Sequence, residues 1–169
     1  MRWLLTLVLS ASVLFAAGEL SNRRAPGFAL MDVHQTYHDP QDYRGKTLVV
    51  EFMQTGCIHC QKFSTLLEQA KAKYGDKLAV LYVVTAPDSY QMVQDYISKF
   101  KISSPVLFDS GQVMASYLKI TPQNPTVEFP HAFLIDGNGW IKNDFKYGTA
   151  TENFFEGKGL LTELDKMIK

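Results

Sequence analysis

Cys57 and Cys60 are the whole cysteine inventory of this 169-residue sequence, and they stand two residues apart in Thr55-Gly56-Cys57-Ile58-His59-Cys60. Thiols at that spacing can close a small disulfide and so store and release an electron pair. As a purely structural staple the bridge would be inefficient, because so short a loop restrains little chain entropy. A zinc site needs about four ligands, and His34, His38 and His131 would have to complete one. Soft thiolates also suit Cu(I), so a metal-binding accessory protein is the alternative from a different class. Redox exchange is the chemistry the pair fits best, with no cofactor and no resident metal expected.

The flanking sequence says how such a pair would be tuned. A buried strand running into an amphipathic helix places the first sulfur at a helix N-terminus, where free N–H groups and the helix dipole stabilise a thiolate. Cys57 is therefore the expected nucleophile, and Cys60, one turn further in, the resolving thiol. His59 can donate to the Cys57 thiolate or pair with it when protonated; the other reading is a solvated polar residue in the first helical turn. Glu51 stands six residues before Cys57 in an otherwise apolar run. An acid there must be paired, protonated or functional, and desolvation should raise its pKa, so that it can take the proton of Cys60. The competing reading points Glu51 outward from an edge strand.

The elements that must hold these residues are legible in the hydrophobic pattern. Thr47-Leu48-Val49-Val50-Glu51-Phe52 reads as a central strand covered on both faces. After it, Phe63, Leu66, Leu67, Ala70 and Tyr74 form one helical stripe that Gly75-Asp76 ends. Residues 77–84 read as a second buried strand, and Ser89 caps a helix that buries Met92, Val93, Tyr96, Ile97 and Phe100. A short strand at 105–109 and a short helix at 111–119 follow, then a proline-interrupted loop over 121–130. Strands at 132–136 and 140–145 flank a tight connection at 137–139, and one final helix carries Leu160, Leu161, Leu164, Met167 and Ile168. Residues 19–46 read as irregular apart from a short edge strand at Phe28-Ala29-Leu30. The expected class is an α/β sandwich with a mixed central β-sheet flanked by helices, as one domain over residues 19–169.

Ahead of that domain, Met1-Arg2 leads into an apolar run closed by Ala16-Ala17-Gly18. This is the layout of a cleavable secretory signal over residues 1–18, with an uncleaved membrane anchor as the alternative. No cysteine follows the run, which excludes lipid attachment at a new N-terminal cysteine. Either way the domain is expected in the periplasm or otherwise outside the cytoplasm. Lys plus Arg and Asp plus Glu are both 17, without blocks of like charge, so neither nucleic acid nor an anionic membrane surface is an expected partner.

Three segments carry a family resemblance: Asp42-Tyr43-Arg44-Gly45-Lys46; Glu51-Phe52 with the dithiol behind it; and Phe129-Pro130-His131-Ala132-Phe133-Leu134-Ile135-Asp136. Together they resemble the thioredoxin superfamily, and within it the exported TlpA/ResA-like group, from about Pro26 to the C-terminus. The resemblance implies a thioredoxin-like sandwich and thiol–disulfide exchange with Cys57 attacking, Cys60 resolving, Glu51 as buried acid and Pro130 as a cis-proline. The backbone of Phe129 would then lie beside the sulfurs, ready to pair with an extended substrate chain. Pro122 and Pro125 compete for that role, and Pro130 is preferred because the strand pattern starts immediately after it. The implied partners are protein thiols or disulfides and a membrane electron donor, with the chain acting as a monomer. The architecture resembles reductants, whereas Ile58-His59 resembles oxidases and isomerases; a reductase is preferred. The chain departs from the family at Gly56, where Trp is usual, in the longer loop before Pro130, and in the bulk of Phe129. A peroxidase pattern, Pro-x-x-x-Thr-x-x-Cys, would place a cysteine at Ile58, which speaks against that activity.

Overall fold

The computed structural model describes residues 18–168. In chain order the elements are β1 (Arg23–Arg24), β2 (Leu30–Asp32), β3 (Tyr37–His38), β4 (Thr47–Met53), α1 (Ile58–Tyr74), β5 (Leu78–Val84), α2 (Tyr90–Phe100), β6 (Val106–Phe108), α3 (Gln112–Leu118), β7 (His131–Ile135), β8 (Trp140–Lys146), α4 (Glu152–Glu156) and α5 (Gly159–Met167). The strands form one mixed sheet in the order β1-β8-β7-β4-β5-β6-β2-β3. Its centre is the parallel run β4, β5 and β6, and β7 joins β4 antiparallel with Glu51 opposite Ala132.

Strand alternation divides the core into two layers. Leu48, Val50 and Phe52 of β4 face a layer built with Leu81, Tyr117, Phe133 and Ile141, which α3 closes. Val49 and Met53 face the other layer, with Phe63 and Leu67 of α1, Val93 and Tyr96 of α2, and Phe154, Phe155, Leu160 and Leu164 from the C-terminal helices. Glu51 shares the parity of Val49 and Met53, so its side chain enters the layer beneath α1. The buried stripe of α1 is Cys60, Phe63, Ser64, Leu67 and Ala70, which puts Cys60 on the core side of its first turn.

Several details depart from the expected pattern. The segment before β4 holds three short strands, and Phe28 belongs to none of them: its ring packs 6.0 Å from that of Tyr117. Pairing in β1 to β3 is a backbone matter between two- and three-residue pieces, which leaves little trace in side-chain periodicity. Met92 is 42% exposed, and Val93 and Tyr96 bury the face of α2 instead. The final helix is two, because Gly157 interrupts the chain after Glu156 and a new turn starts at Gly159. The hairpin closes as read, Gly139 taking a positive φ of 77° and donating to Asp136 at 2.8 Å. The expected leader, residues 1–18, lies outside the described residues except for Gly18. Among the described residues no helix is long and apolar enough to cross a membrane.

Candidate active site

Strand β4 ends at Met53, and Gln54 to Gly56 turn the chain onto α1. Asp88, in the loop after β5, grips that turn: the Thr55 backbone N–H donates to it at 2.8 Å and the Thr55 hydroxyl at 2.6 Å. The Gln61 side-chain amide donates to the Thr55 carbonyl at 2.9 Å, and the Cys57 N–H to the Gln54 carbonyl at 3.1 Å. Among the described residues nothing lies within 4 Å of where a Cβ on Gly56 would stand, so the surface they form before the first cysteine is open.

Cys57 occupies the N-cap of α1 with extended backbone (φ −79°, ψ 117°), and its sulfur accepts the Cys60 backbone N–H at 3.2 Å. A sulfur therefore fills the position where Ser, Thr, Asp or Asn ordinarily satisfies an orphan N–H. The Cys57 pKa falls from 9.0 to about 6: a hydrogen bond from the Cys60 thiol lowers it most, partial burial opposes, and the backbone N–H groups of Cys60 and His59 and the His59 charge lower it further. Cys60 is fully buried, and its thiol is pushed far up, first by desolvation, then by its bond to Cys57 and by the Glu51 charge. Both cysteines are free thiols.

Glu51 is fully buried, and among the described residues neither carboxylate oxygen finds a hydrogen-bond partner. Burial raises its pKa well above the usual carboxylate range, and the Cys57 charge adds to this. The nearby Ser64 hydroxyl, whose oxygen accepts from Tyr96 at 2.7 Å, opposes weakly. Desolvation thus favours the neutral acid beneath the dithiol. The Phe129–Pro130 peptide is cis, and the Phe129 carbonyl is 3.9 Å from the Cys57 sulfur. A second cis peptide, Ala86–Pro87, sits in the loop that carries Asp88.

His59 takes neither of its two expected roles in full. Its ring stacks on Tyr147 (centroids 4.0 Å, 25° between planes), and its Nδ1 is 2.6 Å from Glu156 Oε1. Glu156 also accepts from the Tyr147 hydroxyl at 3.1 Å and from Lys62 at 2.7 Å. The short helix α4 positions this acid, because Phe154 and Phe155 pin α4 against Phe63 of α1. Sequence reading missed both Glu156, 97 residues from His59, and Asp88, 33 from Thr55. Each contact joins separate elements, and Pro87-Asp88-Ser89 offered only an ordinary pre-helix turn as a signal.

The residues read from the sequence therefore converge: Cys57, Cys60, Glu51, Phe129 and Pro130 meet at one end of the sheet, with His59 alongside. The histidines of the zinc alternative do not join them in full, since His38 is bound to Asp32 and Tyr43, and His131 to Asp144. Among the described residues no group of three His, Cys, Asp or Glu side chains is placed to hold a metal ion. A cavity of about 690 Å³ runs along β8 past Asp144 and Lys146, and neither cysteine lines it. The chemistry sits instead on open surface, with Ile58 62% exposed between the sulfurs. Such a surface suits a macromolecular substrate better than an enclosed small molecule.

Comparison with known proteins converges on the same fold. The model of the AhpC/TSA family matches residues 22–143. The thioredoxin-like protein YneN of Bacillus subtilis is 27% identical over 143 residues, covering 83% of this chain and 79% of YneN. The thiol-disulfide oxidoreductase ResA of Bacillus anthracis is 25% identical over 135 residues, covering 80% of this chain and 74% of ResA. Among solved structures, the thioredoxin domain of a thiol-disulfide oxidoreductase from Bacteroides vulgatus superposes with a TM-score of 0.70 at 20% identity, over 88% of this chain and 98% of that one. An exposed lipoprotein thioredoxin of Streptococcus pneumoniae gives a TM-score of 0.65 at 22% identity, over 83% of this chain and 99% of that one.

Proposed function

The chain belongs to the AhpC/TSA family as a thiol-disulfide oxidoreductase, and from that premise we propose that it works outside the cytoplasm, exchanging disulfides with exported proteins and running mainly as a reductant. The observation that carries this reading is the asymmetry of the two thiols: Cys57 is pulled down to about 6 while Cys60 is pushed far up. One sulfur is ready to attack at neutral pH, and the other keeps its proton until it is needed.

The proposed reduction has two steps. The Cys57 thiolate attacks one sulfur of a substrate disulfide; that S–S bond breaks, its other sulfur leaves with the electron pair, and a mixed disulfide forms. Once the mixed disulfide has removed the Cys57 charge, Glu51 releases its own proton to water; its carboxylate then takes the Cys60 proton as Cys60 attacks the Cys57 sulfur, and the second substrate sulfur leaves with the electron pair of the broken bond while the Cys57–Cys60 disulfide closes. Phe129 and Pro130 offer backbone beside the sulfurs on which an extended substrate can lie. The direction rests on the architecture, which resembles the ResA-like reductants, while the lowered Cys57 pKa suits attack in either direction. The basic, then apolar, N-terminal pattern supports export, and an exported reductant needs a membrane donor to restore its dithiol.

The equilibrium reduction potential of the pair, measured in glutathione buffers, tests the direction. About −270 mV or lower is expected; a value between about −120 and −180 mV, the range of DsbA and disulfide isomerase, would overturn the reductant assignment.

A further inference from the structure

We propose that His59 is the proton donor and acceptor for the substrate sulfur that leaves or attacks during exchange, and that Glu156 is the positioning residue that holds it ready. The inference rests on the oxidoreductase reading and adds a second proton path beside that of Glu51. Its basis is geometric. Glu156 Oε1 engages Nδ1 at 2.6 Å, so when the imidazole carries one proton, that bond keeps it on Nδ1 and leaves Nε2 as the free nitrogen. Nε2 has no hydrogen-bond partner among the described residues, and the side chain is 38% exposed one residue before Cys60.

The ring cannot easily turn away. Tyr147 stacks on it at 4.0 Å, and the Tyr147 hydroxyl and Lys62 occupy the rest of the Glu156 carboxylate. Lys62, with His59 and Tyr147 assisting, holds the Glu156 pKa near 2, so the acid stays ionised through any working pH. The groups acting on His59 are thus Glu156 of α4, Tyr147 after β8, and Lys62 and Cys57 of its own segment, with Glu152 of α4 acting on the Tyr147 hydroxyl. A carboxylate fixing one imidazole nitrogen so that the other can move a proton is a recurring catalytic arrangement.

As the Cys57 thiolate forms its new S–S bond, the departing substrate sulfur takes the electron pair of the broken bond and a proton from Nε2 of protonated His59. It leaves as a thiol, and the imidazole keeps the Nδ1 proton shared with Glu156. Water reprotonates Nε2, and in the reverse direction Nε2 accepts the proton of the attacking thiol.

Leaving groups separate this from a merely structural role. Departing glutathione is basic enough to need a proton, whereas the aromatic thiolate of dithiobis-nitrobenzoate leaves without one. Reduced protein is mixed with each disulfide across the neutral pH range, and rates are normalised to the measured Cys57 thiolate. For Glu156→Ala we expect the glutathione-disulfide rate to fall at least roughly five-fold while the aromatic rate holds within about two-fold, with His59→Ala falling further and the double variant matching His59→Ala. Glu156→Gln, which keeps side-chain volume and an acceptor at Nδ1, should recover part of the loss. Equal slowing with both disulfides, or additive losses in the double variant, would overturn the inference. Wild-type protein inert to both disulfides would instead overturn the oxidoreductase reading itself.

Discussion

Removing the Cys60 thiol should undo a large part of the activation of Cys57. The Cys57 pKa drops three units, from 9.0 to about 6, and the largest cause is the hydrogen bond from Cys60. A hydrogen bond to a charged acceptor contributes about 1.5–3 kcal/mol, or about 1–2 pKa units at 1.36 kcal/mol each. Cys60→Ala should therefore titrate at about 7–8, and Cys60→Ser, whose hydroxyl still donates, within about half a unit of wild type. Ultraviolet thiolate absorbance followed over pH, together with the rate of carboxymethylation, measures the shift directly. Near pH 6 the thiolate fraction should fall from about half to a tenth or less in Cys60→Ala. The same shift sets a stability window. A depressed thiol pKa stabilises the folded reduced protein above the ordinary thiol value, and that contribution is lost as pH falls through about 6. If Cys60→Ala titrates with wild type, the helix N-terminus alone depresses Cys57, and the assignment of Cys60 as its principal donor is wrong.

Two further substitutions test the surroundings of the dithiol. Glu51→Leu should stabilise the fold by about 1–3 kcal/mol near neutral pH, because it removes a buried carboxyl with no hydrogen-bond partner, while slowing release of the second substrate thiol. A raised acid pKa costs stability as pH rises above the ordinary carboxyl value, so the gap should narrow in acid; urea unfolding that gives the same gap at pH 4 and pH 8 would contradict a buried, neutral Glu51. Asp88→Ala removes the two hydrogen bonds that Thr55 donates to it, leaving only the Gln61 amide on the turn, and should cost about 1–3 kcal/mol, with carboxymethylation of Cys57 slowed as its cap geometry loosens. Unchanged stability in that variant would remove Asp88 from the site.

How much of this was legible in the sequence depends on the range of the signal. Cys57, Cys60 and Glu51 lie within ten residues, on one strand and one helix start, and two periodicities suffice to place them: alternation puts Glu51 in the layer of Val49 and Met53, and the α1 stripe puts Cys60 beneath Cys57. The central elements β4, α1, β5 and α2 were equally plain, because long apolar runs and capping residues are local. Glu156 and Asp88 were not, since their side chains belong to short pieces whose own patterns say nothing of where tertiary packing carries them. The same holds for β1 and for the pairing of β2 with β6, whose partners lie far along the chain, while the local β2–β3 pair is only two or three residues long and its side chains bury little.

The position of Glu51 also bears on timing in the proposed reaction. Three acids share this end of the sheet, and their charges oppose one another: the Cys57 charge raises Glu51, and the Glu51 charge raises Cys60. In the resting dithiol the anion belongs to Cys57, which alone has helix N–H groups and a thiol donating to it, so Glu51 and Cys60 stay neutral. Forming the mixed disulfide ties the Cys57 sulfur covalently and removes its charge. The electrostatic cost of ionising Glu51 then falls at the moment when Cys60 must lose its proton. The lack of hydrogen-bond partners for Glu51 among the described residues weakens the fold, but together with burial it favours the neutral acid while Cys57 is charged, which suits the proposed role of a base that acts only after Cys57 has reacted.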